Sequence, residues 1–190
     1  MNAGKILITL CLSGCLVFSQ VGHAQSKAPR DNSMASLSVG FLGAMPIQKG
    51  FTTTHTVGGG GQIKLRMPVS EKGQITAGMR GLSYFGKENP ATSEKYKQRN
   101  VLQFLGGYRY NFNPEKEKAF YLEPQIGFAM VGTKSSLLKY ETALGYYLSD
   151  QVDIGIWHQI GFENSRKTKI GAIGLMLNVS FNNLFPVIKN

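Results

Sequence analysis

Cysteine occurs only twice in the 190 residues, at Cys11 and Cys15, both inside the first apolar stretch. Beyond residue 24 there is none, which excludes disulfides, thiol catalysis and cysteine-held metal from that part of the chain. Charge is scarce as well: Asp, Glu, Lys and Arg make up 17%, against about 25% in soluble domains. Acidic residues are the scarcer sign, 11 against 21 Lys and Arg, for a formal charge of +10. Such a surplus suits nucleic acid, but the sequence has no Lys/Arg-rich run, zinc-ligand spacing or recognition-helix pattern, so that partner is excluded. The only imidazoles are His23, His55 and His158. None has a second ligand at metal spacing, so neither metal nor cofactor is expected. Helical periodicity of useful length is also missing.

The N-terminus has the pattern of a secretory signal. Lys5 supplies the positive region, Ile6 to Phe18 the apolar core, and Gly22-His23-Ala24 small residues at −3 and −1 of a cut before Gln25. The core is shorter than the ~20 residues of a spanning helix. Leu12-Ser13-Gly14-Cys15 is a competing signal, a lipobox that would leave Cys15 lipidated. Against it, the apolar run continues through Leu16, Val17 and Phe18. Cleavage after Ala24 is the expectation, with residues 1–24 as signal peptide and 25–34 as a flexible lead.

What the chain has in abundance is alternation. In Lys169 to Phe181, the residues Ile173, Leu175, Leu177, Val179 and Phe181 fall on one face and Ala172, Gly174, Met176, Asn178 and Ser180 on the other. Side chains alternate across a strand with period two. The same rhythm recurs in Ala35 to Met45, Gln62 to Val69, Gly73 to Phe85, Val101 to Phe112, Ala119 to Val131, Leu137 to Leu148 and Gln151 to Phe162. Eight strands of this kind are expected, most of them far longer than the usual 5–6 residues. The stretch Gly58 to Gly61 resembles a phosphate loop only superficially, since no helix and no GKS/T follows. It is expected to precede the second strand and to allow close backbone approach or a bulge, and Pro124 a bulge or local irregularity in the fifth.

The two faces differ in kind. One carries no Lys, Arg, Asp or Glu. The other carries Lys64, Arg66, Arg80, Arg109, Glu123, Lys139, Glu141 and Asp153 among Gly, Ser, Ala, Thr, Asn and Gln. A water-facing surface would need more charge than that. A narrow eight-stranded barrel needs small residues and paired charges inside. The fold expected is all-β: an eight-stranded antiparallel up-and-down transmembrane β-barrel over residues 35–181, with 182–190 as a periplasmic tail. Segments joining runs two–three, four–five and six–seven are short, whereas one–two and three–four are longer and more polar, which puts both termini in the periplasm. A filled interior rather than a porin channel follows.

On this alternation, on aromatic strand ends and on Leu175-x-Leu177-x-Val179-x-Phe181, the chain resembles the small outer-membrane barrels of the OmpA/OmpX type. The resemblance implies the outer membrane of a diderm (Gram-negative) bacterium. It implies outer-membrane lipid, lipopolysaccharide and the barrel-assembly machinery as partners, with room for an envelope protein. The terminal pattern departs from the usual one in that Asn182 to Asn190 follow Phe181. A structural or adhesive role, or that of an accessory subunit, is the first expectation for function.

The alternative is an enzyme that modifies lipid A. Lipid A deacylases are similar barrels with an outward His and a Ser two residues apart on a late strand. Here His158 would be the base, but Ile160 stands where serine is needed, and Ser165 and Glu163 lie toward the next loop. No catalytic residue is therefore assigned. Lys87, Lys95, Lys97 and Arg99, in the polar segment Gly86 to Asn100 with Glu88 and Glu94, are candidates for contact with lipopolysaccharide phosphates.

Overall fold

The protein is described from a computed structural model covering residues 35–131, 135–163 and 169–185. Its strands are β1 (Ala35–Pro46), β2 (His55–Pro68), β3 (Gly73–Gly86), β4 (Arg99–Asn111), β5 (Phe120–Val131), β6 (Ser135–Tyr147), β7 (Val152–Glu163) and β8 (Lys169–Phe185). One short helix, α1 (Lys49–Thr52), lies between β1 and β2. Each strand pairs antiparallel with its sequence neighbour and β8 pairs with β1, so the sheet closes into a barrel without a free edge. Closure satisfies every ladder internally, which is what hydrocarbon demands of a spanning sheet.

The register sets the geometry. Stepping across partners from Ser36 through Arg66, Thr76, Gly107, Gln125, Glu141, Gln159 and Ala172 leads back to β1 at Pro46, ten residues on. That stagger over eight strands gives a tilt of about 40° at ~3.3 Å per residue and ~4.8 Å between strands. At this tilt a strand of twelve residues rises about 30 Å, enough for the hydrocarbon core.

Alternation sorts the side chains as the two faces require. The outer surface carries large apolar groups, with Leu175 66%, Phe41 62% and Ile126 59% exposed, while Gln103, Glu123 and Glu141 are 0% exposed inside. A soluble barrel would reverse this. Inward glycines make room for inward rings. A Cβ on Gly174 would meet the Trp157 indole at 2.5 Å, and one on Gly145 would run into the Tyr121 ring.

Two expectations are corrected, and the irregularity at Pro124 takes the form of an interrupted ladder rather than a bulge. Gly58 to Gly61 do not precede the second strand: β2 starts at His55 and pairs them with Ala44 to Phe41 on one side. The irregularity sits just before them, between His55 and Gly58. Pro124 causes no slip. The β4–β5 partners Gly107–Gln125 and Tyr110–Leu122 share one register, and the ladder is only interrupted between them, where proline has no N–H to give. Finally, Asn182 to Phe185 continue β8, which pairs Phe185 with Ala35 across a register shift, so the tail does not begin at residue 182.

The connections form two ends. Turns 69–72, 112–119 and 148–151 share one end with the start of β1, here the turn end; loops 47–54 and 87–98 lie at the other, the loop end. The 112–119 turn is as long as the 47–54 loop, so the expected contrast in length rests on loop 87–98. The joins at 132–134 and 164–168, with Ser165, lie outside the described residues.

Candidate functional site

The interior is the most densely organised part of the molecule. Lys64, Arg66, Arg80, Arg109, Glu123, Lys139, Glu141 and Asp153 all turn inward, each no more than 3% exposed. They divide into two clusters at different heights. Toward the turn end, Glu123 accepts from Lys64 at 2.8 Å and from Arg109 at 2.7 and 2.8 Å. Below it Asp153 stands 3.7 Å from Arg66 and 3.6 Å from Arg109, and accepts from the Tyr121 hydroxyl at 2.5 Å and from Asn178 at 2.7 Å. The Arg109 guanidinium lies 3.7 Å above the centre of the Tyr121 ring. Charge, hydrogen bonds and ring contact thus hold one group from all sides.

Toward the loop end, Arg80 grips Glu141 with two bonds, at 2.5 and 2.8 Å, and stacks 5.0 Å over Trp157. Lys139 is different. Its ammonium donates to the Gln159 carbonyl, and no carboxylate lies within ion-pair distance among the described residues. Sequence reasoning anticipated that the five cations and three carboxylates would largely pair; the structure leaves Lys139 to an amide, because bidentate Arg80 occupies Glu141.

The loop end is closed by a cap that alternation did not signal. Helix α1 carries Phe51 over the mouth, where it is 4% exposed. Its ring centre lies 4.9 Å from those of Tyr84 and His55, and Arg99 sits 5.5 Å above it. His55 holds the cap to the neighbouring loop through Nε2 and the Lys97 carbonyl at 3.3 Å, and its Nδ1 meets the Thr54 hydroxyl at 2.8 Å. Burial in this cap, above the apolar band, lowers the His55 pKa; the Lys97 carbonyl opposes and Arg99 adds to the lowering. A phenylalanine within a polar loop was the available signal.

Lys87, Lys95, Lys97 and Arg99 belong to the hairpin that extends β3 and β4 past the barrel. Lys87, Lys95 and Lys97 are exposed, and Lys87 also bonds the Thr52 carbonyl at 2.8 Å, tying this hairpin to the cap. Arg99 is drawn over Phe51 instead.

His158 points outward and is half-buried between Thr142 on β6 and Ile173 on β7's other neighbour, β8. The Thr142 hydroxyl donates to the Tyr140 hydroxyl at 3.1 Å. Ile160 follows two residues on, and the Glu163 side chain lies outside the described residues. Glu163 ends the strand five residues later, so His158 lies about 12 Å below that end at the tilt given above.

No protein-family model matches the chain, and no curated protein matches it. Solved structures do. The outer membrane protein Ail of Yersinia pestis in a phospholipid nanodisc superposes with a TM-score of 0.56 at 13% identity, covering 78% of this chain and 99% of that one. OprG, an outer membrane protein of Pseudomonas aeruginosa, gives 0.51 at 10% identity over 80% and 97%. The outer membrane enzyme PagL gives 0.50 at 12% identity over 75% and 98%. Eight strands, closed antiparallel topology and these superpositions agree: the chain has the fold of the small eight-stranded outer-membrane β-barrels.

Proposed function

We propose that the protein is an outer-membrane barrel with a sealed, non-porin interior that works through its outer surfaces. Its role would be structural or adhesive, or that of an accessory subunit of an envelope complex. The observation that carries this reading is the combination of a predominantly apolar outer band with a lumen filled by buried ion pairs and capped by Phe51. Such a molecule offers neither a water path nor a substrate cavity in its lumen; contact is left to its loops and its lipid face. Both termini would lie in the periplasm, with loops 47–54 and 87–98 outside, and lipopolysaccharide and the barrel-assembly machinery would be its partners. The test is cell fractionation with an epitope inserted in loop 87–98. Recovery in outer membranes, with the epitope reached by antibody on intact cells, is expected. Recovery as a soluble periplasmic protein would end the reading.

A second reading, an enzyme acting on lipid A, draws on the outward imidazole of His158 and on the likeness to an outer membrane enzyme. It is the weaker one. Ile160 fills the slot for a nucleophile two residues after His158. Lipid A from a host expressing the protein should therefore keep all its acyl chains by mass spectrometry. Loss of a chain that is abolished by His158→Ala would promote the enzyme reading.

A further inference from the structure

One stretch of the lipid face is not covered by side chains. On β3, Gly81 points outward in a row with Gly61 on β2, Leu102 on β4 and Met130 on β5, and Gly59 points outward on β2 beside Ser83. The bare backbone at Gly59 and Gly81 floors a groove of about 430 Å³, with Leu102 and Met130 as its wall. Its upper rim is polar: Ser83 donates to Asn100 at 2.7 Å, and the Gln98 amide donates to both. Nothing inside the barrel requires glycine there. A Cβ at Gly81 would meet no atom within 4 Å, and one at Gly59 would lie 3.5 Å from the Leu42 carbonyl. Gly43 and Gly61, the outward partners of Gly59 and Gly81, widen the bare stretch, while many other outward positions hold Phe, Leu, Ile or Met.

Directly above the groove stands the hairpin that prolongs β3 and β4. It carries Lys87, Lys95, Lys97 and Arg99 against Glu88 and Glu94, a net positive charge. Lys87, just past the end of β3, follows Gly81 by six residues, a height of about 15 Å at the tilt of the strand. That separation suits a lipid whose acyl chain lies in the groove while its headgroup reaches the hairpin. The apolar trough, the hydrogen-bonding rim and the cationic top follow the order of groups in an anionic membrane lipid.

We propose that the groove across β2, β3 and β4 binds one acyl chain of a phosphorylated outer-leaflet lipid, whose phosphate is met by the Lys87–Lys97 hairpin. The inference rests on the outer-membrane reading for the orientation of the loop end. The experiment does not, because it uses purified protein folded in dodecyl maltoside micelles. Native mass spectrometry would follow retention of bisphosphorylated lipid A, its dephosphorylated form and phosphatidylcholine. Phosphorylated lipid A should be retained at least about fivefold more strongly than either other lipid. The double substitution Gly59→Leu with Gly81→Leu fills the trough without touching the interior and should cut that retention at least about fivefold, as should Lys87→Gln with Lys95→Gln and Lys97→Gln. Heat-modifiable gel mobility confirms that each variant is folded, and Gly81→Leu alone serves if the double variant is not. Equal retention of the three lipids, or full retention by a folded groove-filled variant, overturns the proposal. Failure to fractionate with outer membranes would instead overturn the orientation on which the proposal stands.

Discussion

At the scale of single residues, partners decide what each buried charge contributes. Glu123 neutralises both Lys64 and Arg109, so removing it strands Lys64 and leaves Arg109 only the longer contact with Asp153. Breaking a buried pair on one side costs about 3–5 kcal/mol, because the remaining charge stays desolvated. Glu123→Gln is expected to lower the unfolding free energy in urea by at least about 3 kcal/mol. Lys139 donates to Gln159 and meets Glu141 only beyond ion-pair distance, so its removal breaks no direct pair. Lys139→Met should be neutral or stabilising, within about 1 kcal/mol of wild type or above it. Equal losses in the two variants would show that the clusters act as one. Alternation made the inward position of these charges legible in the sequence. It could not assign partners, since residues as distant as Arg80 and Glu141 meet only once the barrel closes and its stagger is fixed.

His55 is a residue-scale test of the cap. Its pKa is lowered in the folded cap from an ordinary value of 6.5, so the open state binds the proton more readily. Stability of the cap is therefore fully present above pH 6.5 and is lost as pH falls through the folded value. The Lys97 carbonyl, the Arg99 guanidinium and the Phe51 ring face it; Arg99 opposes protonation, whereas the Lys97 carbonyl favours it. Amide hydrogen exchange at Phe51 to Thr54, corrected for intrinsic rates, should speed up between about pH 8 and about pH 5. The change should vanish in His55→Gln. Persistence in that variant would assign the pH effect to another group.

At the scale of elements, β2 shows why composition alone misplaced a boundary. Gly58 to Gly61 have no side chains to display alternation, so the period-two signal starts only at Gln62, and the glycines read as a break. In the barrel two of them, Gly58 and Gly60, are needed by their surroundings. A Cβ on Gly60 would run into the Gly81 carbonyl of the paired strand, whereas Gly81 itself faces open space. The two positions make opposite predictions. Gly60→Ala should impair folding, seen as a loss of the heat-modifiable band. Gly81→Ala should leave the barrel intact and add up to about 1 kcal/mol by restricting the unfolded chain. Pro124 is the converse case, where the sequence suggested more disturbance than occurs. Interrupting the ladder toward β4 suffices, because the β6 side keeps its regular partner Thr142. Helix α1 was beyond sequence reasoning for another reason: four residues are too few to show a helical period, and its position depends on Phe51 finding Tyr84.

At the scale of the whole molecule, strand number and stagger fix the radius, and radius fixes what the lumen can do. Eight strands enclose a space that side chains fill. Here it is filled in tiers: Tyr121, Arg109 and Asp153 near the turn end, Lys64 and Glu123 above them, then Trp157, Arg80 and Glu141, and Phe51 as lid. A water path would have to open both ionic tiers and the cap together. The interior cations outnumber the carboxylates by five to three, so any transient path would favour anions. In planar bilayers the protein should give no steady open level. Removing the lid by Phe51→Ala should not change this, because the Arg80–Glu141 and Glu123 tiers remain below it. Glu141→Ala together with Phe51→Ala removes the lid and frees Arg80 from its partner, and brief anion-selective openings are expected from that variant alone. A steady porin-like level in the wild type would contradict a sealed lumen. Openings in Phe51→Ala by itself would place the barrier in the cap rather than in the ionic tiers.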